Sequence, residues 1–247
     1  MSAKVKANEL QKENGLEMTF QTTLGVANDQ TIDKWELMAS RRALMNLRTL
    51  LQGEAMDKLI QQQVEESDER IKEILSRSNG EFKEVRVEAT VKGITASEFL
   101  EWQGIEMKKC AVGTPEERKE AALKSVYPAH PEHYSIPQFL GNVETLGGMP
   151  TRVRVVKLNE VPAFVTAVAN KNFTTLSKAS AGELADGTVW GYGLMEYQDT
   201  DYGCDMIYHV WWPAAAPQIF FDDHARHFAV EHRNFIQMAY ESVQSKN

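Results

Sequence analysis

Hydrophobic periodicity changes along the chain, and each change marks an element. From Thr31, residues Trp35, Met38, Ala39, Leu44, Leu47, Leu50 and Leu51 recur near every ~3.6 positions, which predicts a helix with its stop at Gly53. Met56, Leu59, Ile60, Val64, Ile71, Ile74 and Leu75 form a second helical stripe. The charged and amide residues between Gln61 and Lys72 give that helix a solvated face. Asn79-Gly80 is a strong turn signal that ends it. From Glu81 to Lys92 the period drops to two. Val85, Val87, Ala89 and Val91 alternate with charged residues there, as in a half-buried strand.

Two capping signatures follow. Thr95, with Glu98 three residues on, opens a short helix carrying Phe99, Leu100 and Trp102. Thr114-Pro115-Glu116-Glu117 repeats the device, with proline at the first helical position and acids at the positive helix end. Tyr127 to Pro137 is a loop rich in proline and histidine. Beyond Gly147-Gly148 the predicted strands are Arg152 to Leu158, Ala163 to Ala169, Thr188 to Tyr197 and Asp205 to Trp212, with turns at Gly187, Asp201 and Gly203. Pro213 and Pro217 end the last strand, and Asp222 to Ser245 reads as one long helix. Residues 1 to about 30 read as an arm with one short strand, Glu17 to Thr22.

Strands grouped together without alternating helices argue an α+β fold rather than a doubly wound sheet. The order predicts a curved antiparallel sheet gripping one long C-terminal helix over residues 80–247. An arm and a helical hairpin over residues 1–79 precede it. This is the helix-grip arrangement of Bet v 1-like and lipid-transfer (START-like) domains. It leaves a cavity between sheet and helix, which implies a ligand pocket but no particular activity.

Composition narrows the partners. A chain of 247 residues suits one main core with a helical extension. A formal net charge of −8, with no Lys/Arg run, speaks against nucleic acid. No stretch approaches the ~20 apolar residues that span a bilayer, so no membrane partner is expected. The segment Met1 to Lys6 is polar and does not read as a signal peptide. Cys110 and Cys204 are no disulfide framework and read as free thiols in a reducing compartment, hence a cytoplasmic expectation. The two N-terminal helices are the candidate surface for a homo-oligomer.

The final helix carries the chemistry. At ~100° per residue, Phe220, His224, His227, Glu231, Asn234, Phe235 and Met238 share one face. The face that should meet the sheet therefore holds a polar row. A buried carboxylate costs several kcal/mol unless it is paired, hydrogen-bonded or metal-bound. His227 and Glu231, at i and i+4, converge on one point, as two ligands of a divalent cation would. The alternative is a surface pair, with Glu231 bridged to Arg226, Arg233 or Arg41.

Other candidate ligands are His130 and His133, in the loop Tyr127-Pro128-Ala129-His130-Pro131-Glu132-His133-Tyr134, and Glu106, four residues after Trp102. His209 lies on a strand and points either into the cavity or away from it. Tyrosines on the C-terminal strands, Tyr208 among them, could hydrogen-bond ligand oxygens if they face the cavity.

Gly203-Cys204-Asp205-Met206 leading into Trp211-Trp212, followed by His227 to Phe235, resembles the end of the 2,4-diacetylphloroglucinol hydrolase / phloretin hydrolase family. The loop Tyr127 to Tyr134 is similar to that family's His-Pro-x-x-His segment. The resemblance covers the C-terminal half. It implies a Bet v 1-like domain with an N-terminal helical extension. It also implies zinc held by His and Glu side chains, two of them from the last helix, and cleavage of the bond between an aromatic ring and an acyl group. The substrate would be a small aromatic ketone. His209, Tyr127 and Tyr208 are the candidates for proton transfer. The family places a ligand histidine after a Trp-rich short helix, where Trp102-Gln103-Gly104-Ile105-Glu106 has none; Glu106, His130 or His133 would then complete the site. The contrasting expectation is a metal-free helix-grip protein that binds or carries an apolar or aromatic small molecule.

Overall fold

Both predicted capping boxes form. Thr95 Oγ1 accepts the Glu98 backbone N–H while the Glu98 carboxylate accepts that of Thr95, and Thr114 and Glu117 repeat the exchange. The computed structural model describes residues 19–135 and 142–245; most of the predicted N-terminal arm lies outside them. The chain divides into two units between Leu44 and Met45. In the first, β1 (Thr19–Thr22) and β2 (Gly25–Asn28) form a hairpin, and α1 (Asp29–Leu51) begins. Thr22 Oγ1 pins the hairpin turn by accepting the Leu24 N–H at 3.0 Å and donating to the Gly25 carbonyl at 2.8 Å.

The second unit continues from the end of α1 into α2 (Glu54–Arg77), β3 (Phe82–Lys92), α3 (Ala96–Ala111), α4 (Pro115–Lys124) and the short α5 (Val126–Ala129). Then come β4 (Asn142–Leu146), β5 (Met149–Val156), α6 (Ala163–Ala167), β6 (Leu176–Glu183), β7 (Val189–Asp199), β8 (Gly203–Pro213) and α7 (Gln218–Gln244). Six strands make one antiparallel sheet in the order β3-β8-β7-β6-β5-β4. The sheet curves around α7, with α1 and α2 as an N-terminal extension: the helix-grip fold. The α2 helix packs on β5, where the Ser67 and Thr151 hydroxyls share a buried 2.8 Å hydrogen bond.

Alternation along β8 sorts the two faces of the sheet. Tyr208, Val210 and Trp212 meet α7. Trp211 turns to the other face, against Val165 and Leu194. Within the α7 side, Trp190 and Trp212 stack at 4.3 Å and Phe220 meets both edge-on. Space for those indoles comes from Gly182 and Gly191, which are register partners; a Cβ on Gly191 would collide with the Trp212 ring.

Two sequence expectations need correction. Ala163 to Ala169 is not a strand: Pro162 introduces a single helical turn whose Val165 fills the outer core. The loop from Tyr127 starts as the last part of α5. Strands β4 and β6 were not expected. In β6 (Leu-Ser-Lys-Ala-Ser-Ala-Gly-Glu) small residues make room for Trp212, so hydrophobic alternation is muted.

Candidate metal centre

Pro217 frees the chain to begin α7, and the helix then buries Phe220, Phe221, His224, His227, Phe228, His232, Phe235 and Ala239. Its buried face is wide enough to present two adjacent rows. One carries His224, Phe228 and His232 against β8, with His232 stacked on Tyr208 at 3.7 Å. The other carries His227 and Glu231 toward the His130/His133 loop and β4. Among the described residues no arginine pairs with Glu231: Arg226 pairs with Asp223 and Arg233 bonds Asn234. The glutamate instead has histidine neighbours and only 17% of its side chain exposed.

The loop is held from two sides. Arg48 is buried and donates to the carbonyls of Tyr127, His130 and Pro131, with its guanidinium over the Tyr127 ring. Asn234 of α7 donates to the Ala129 carbonyl at 2.8 Å. Within the loop, His133 Nδ1 meets the Val126 carbonyl at 2.7 Å. A carbonyl can only accept, so Nδ1 carries the hydrogen and the Nε2 lone pair faces the cluster.

Four side chains converge there. His227 Nε2 lies 3.0 Å from Glu144 Oε2, 3.1 Å from His133 Nε2 and 3.9 Å from Glu231 Oε2; His133 Nε2 lies 3.5 Å from Glu231 Oε1. Four ligands at the usual zinc distances, set at tetrahedral corners, stand about 3.4 Å apart. A proton on His227 Nε2 cannot serve three acceptors at once, whereas a cation among them can. A second trio, His130, Glu132 and His227, also has metal-ligand spacing. It shares His227, and His130 stacks face-on against that ring at 3.8 Å. Glu144 reaches the same Nε2 atom at 3.0 Å but stands outside the trio His133, His227 and Glu231, whose ligand atoms all lie within 4.8 Å of one another.

The electrostatics follow from crowding. Burial would push the Glu144 carboxyl up, but His227 at 3.0 Å overrides it and holds the group well below the usual carboxylate range. Glu231 is 3.9 Å from His227, too far for the same rescue, and burial pushes it up to about 7. Burial pulls on His227 as well, yet Glu144 and then Glu231 raise it to about 9. Burial, with the His227 charge, lowers His133 to about 4 and His130 to about 3, so both are neutral imidazoles at neutral pH. A neutral imidazole and an ionised carboxylate are the forms that bind metal, so a cation entering here displaces the proton that His227 carries.

A cavity of about 190 Å³ adjoins the cluster, lined by Glu144, Glu231, His224, His232 and Phe228 on one side. Gly182, Gly191, Gly193, Val210 and Trp212 line the other.

Of the residues singled out in the sequence, His133, His227 and Glu231 meet at the cluster, and His130 stacks beside them. Glu106 does not: its carboxylate pairs with Lys109 at 2.6 Å beside α4. His209 faces the opposite side of the sheet, between Glu84 and Glu196, because it alternates with Tyr208 and Val210. Tyr208 faces α7, but its hydroxyl meets Met206 Sδ at 2.9 Å and it does not line the cavity. Tyr127 is buried under Arg48, with burial pushing its phenol up to about 12. Sequence reasoning missed Glu144, a lone acid in a short strand. Its one signal was a carboxylate at an apolar position, between Val143 and Leu146.

Fold and cluster together define a helix-grip protein with His/Glu sites geometrically fit for a divalent cation. No protein-family model matches the chain, and no curated protein matches it in sequence.

Proposed function

We propose that this chain is a zinc-dependent hydrolase that cleaves the bond between an aromatic, phenolic ring and an acyl carbon. The observation that carries the reading is the convergence of His133, Glu144, His227 and Glu231 beside a cavity of about 190 Å³. Fit to the metal rests on three features of these residues. They are nitrogen and carboxylate donors, which suit zinc. His133, His227 and Glu231 bring ligand atoms within 4.8 Å of one another, and Glu144 reaches His227 from a fourth side. The Nδ1 of His133 is held by the Val126 carbonyl, which leaves its Nε2 lone pair for a cation. The sequence resemblance at the same helix supplies the reaction class.

A divalent cation bound there supplies Lewis-acid polarisation of an acyl carbonyl or acidification of a water. The chain's own residues do the rest. The Val126 carbonyl fixes the His133 tautomer, as an outer partner orients a ligand histidine. Phe228, Trp212 and Val210 give the cavity an apolar wall that would pack against a ring. A dry ~150 Å³ cavity accommodates benzene, so the space suits a single aromatic ring. In the overall reaction, water gives its hydroxide to the acyl carbon and its proton to the ring carbon, the carbon–carbon bond between them breaks, and a carboxylic acid and a phenol leave.

The test is to incubate the zinc-loaded protein with monoacetylated phloroglucinol and assay acetate and phloroglucinol together. The expected result is release of both in equal amounts, lost in His227→Ala. Zinc-loaded protein that leaves the ketone intact, while other acylphenols also persist, contradicts the reading.

A second reading has its own support. Most of the cavity lining is apolar, which also suits a metal-free protein that binds or carries an aromatic molecule. Aromatic binding by a protein that takes up no zinc would favour it.

A further inference from the structure

His224 and His232 stand apart from the ligand set and yet are buried histidines with nothing to bond. They are only 2% and 8% exposed, and none of their four ring nitrogens has a hydrogen-bond partner among the described residues. The nearest carboxylate oxygens are 3.7 Å from His224 Nδ1, on Glu144, and 4.0 Å from His232 Nε2, on Glu231, both beyond hydrogen-bond length. A buried unpaired polar group costs about 1–3 kcal/mol, so two such rings need an explanation. Both line the cavity. They flank Phe228 on one row of α7, with ring centroids 4.3 Å and 5.2 Å from it. Opposite them the wall is built by Val210, by Trp212 lying over Gly191, and by Ser180 beside Gly193.

We propose that His224 and His232 are the contacts that recognise the ligand's oxygens, holding an uncharged hydroxylated aromatic ring over Phe228. The proposal deepens the hydrolase reading by naming the residues that would select its substrate. A neutral imidazole offers one N–H and one lone pair. The pair therefore accepts from a hydroxyl and donates to a hydroxyl or carbonyl oxygen. The cavity lining holds Glu144 and Glu231 but no lysine or arginine, which disfavours an anionic ligand.

Calorimetry on the full chain tests this, with the protein metal-free in one series and zinc-loaded in the other, and with zinc uptake measured separately. The probes are resorcinol, 1,3-dimethoxybenzene and toluene. Wild type is expected to bind resorcinol at least about tenfold tighter than the ether, a difference of ~1.4 kcal/mol. His224→Phe and His232→Phe, which keep a ring in place, are each expected to erase that preference while toluene still binds. Nitrogen-15 spectra of the wild type give an answer that does not depend on the variants folding: the imidazole signals of His224 and His232 move with resorcinol and stay with toluene. Unmoved signals, or no preference for resorcinol in wild type, overturn the proposal. So do folded variants that keep the preference. Zinc uptake without resorcinol selectivity sinks this proposal alone. Resorcinol selectivity without zinc uptake sinks the metal reading and leaves this one standing.

Discussion

A single atom, His227 Nε2, has three hydrogen-bond acceptors within 4 Å: Glu144, His133 and Glu231. Mutation should sort these neighbours from the other acids that the sequence offered. His227→Ala and Glu144→Ala are expected to weaken zinc binding by more than the ~100-fold that loss of an outer-shell partner costs. Glu106→Ala should leave it unchanged, because that carboxylate is engaged with Lys109. Competitive titration against a chromophoric chelator would measure all three. The cysteines give a second prediction at this scale. Burial raises Cys204 to about 12 and lifts Cys110 too. A raised thiol pKa means little thiolate at pH 8, and the thiolate is the reactive form. Both should therefore resist a thiol reagent in the native protein and react at once in denaturant, where an unperturbed thiol titrates near ~8.5. The helix pair His227 and Glu231 was legible because i and i+4 spacing is visible in a string of letters. Glu144 was not, since its partners lie across the fold, on α7 and in the loop before β4.

At the scale of elements, the site depends on how a loop is tied down. Arg48, near the end of α1, donates to three loop carbonyls from a buried position. Replacing it with lysine keeps the charge but loses the planar fork that reaches several acceptors at once. Arg48→Lys is expected to weaken zinc binding about tenfold, in the range for outer-shell support of a metal ligand. Affinity unchanged from wild type, at comparable thermal stability, would show that the loop holds His133 without it. Capping boxes and the long final helix were readable because their chemistry is local. Strand β6 was not, because its small residues answer to Trp212 on another strand. For the same reason α6 was mistaken for a strand: Val165 is apolar to fill a core beyond the sheet, and Pro162 decides the local geometry.

For the whole molecule, the order of helices and strands was enough to predict a curved antiparallel sheet on one long helix, since that topology follows from which elements are adjacent. What lies in the grip is a different matter. Only the folded chain brings β4, the His133 loop and α7 to one point, and only there do two carboxylates and two imidazoles crowd within 4 Å of a neighbour. That arrangement is costly without a cation and natural with one. The most direct measurement is the metal content of the purified chain after loading with zinc and removal of excess. The account predicts one zinc per chain in wild type and none retained in His227→Ala. A folded wild-type protein that retains no zinc would contradict it.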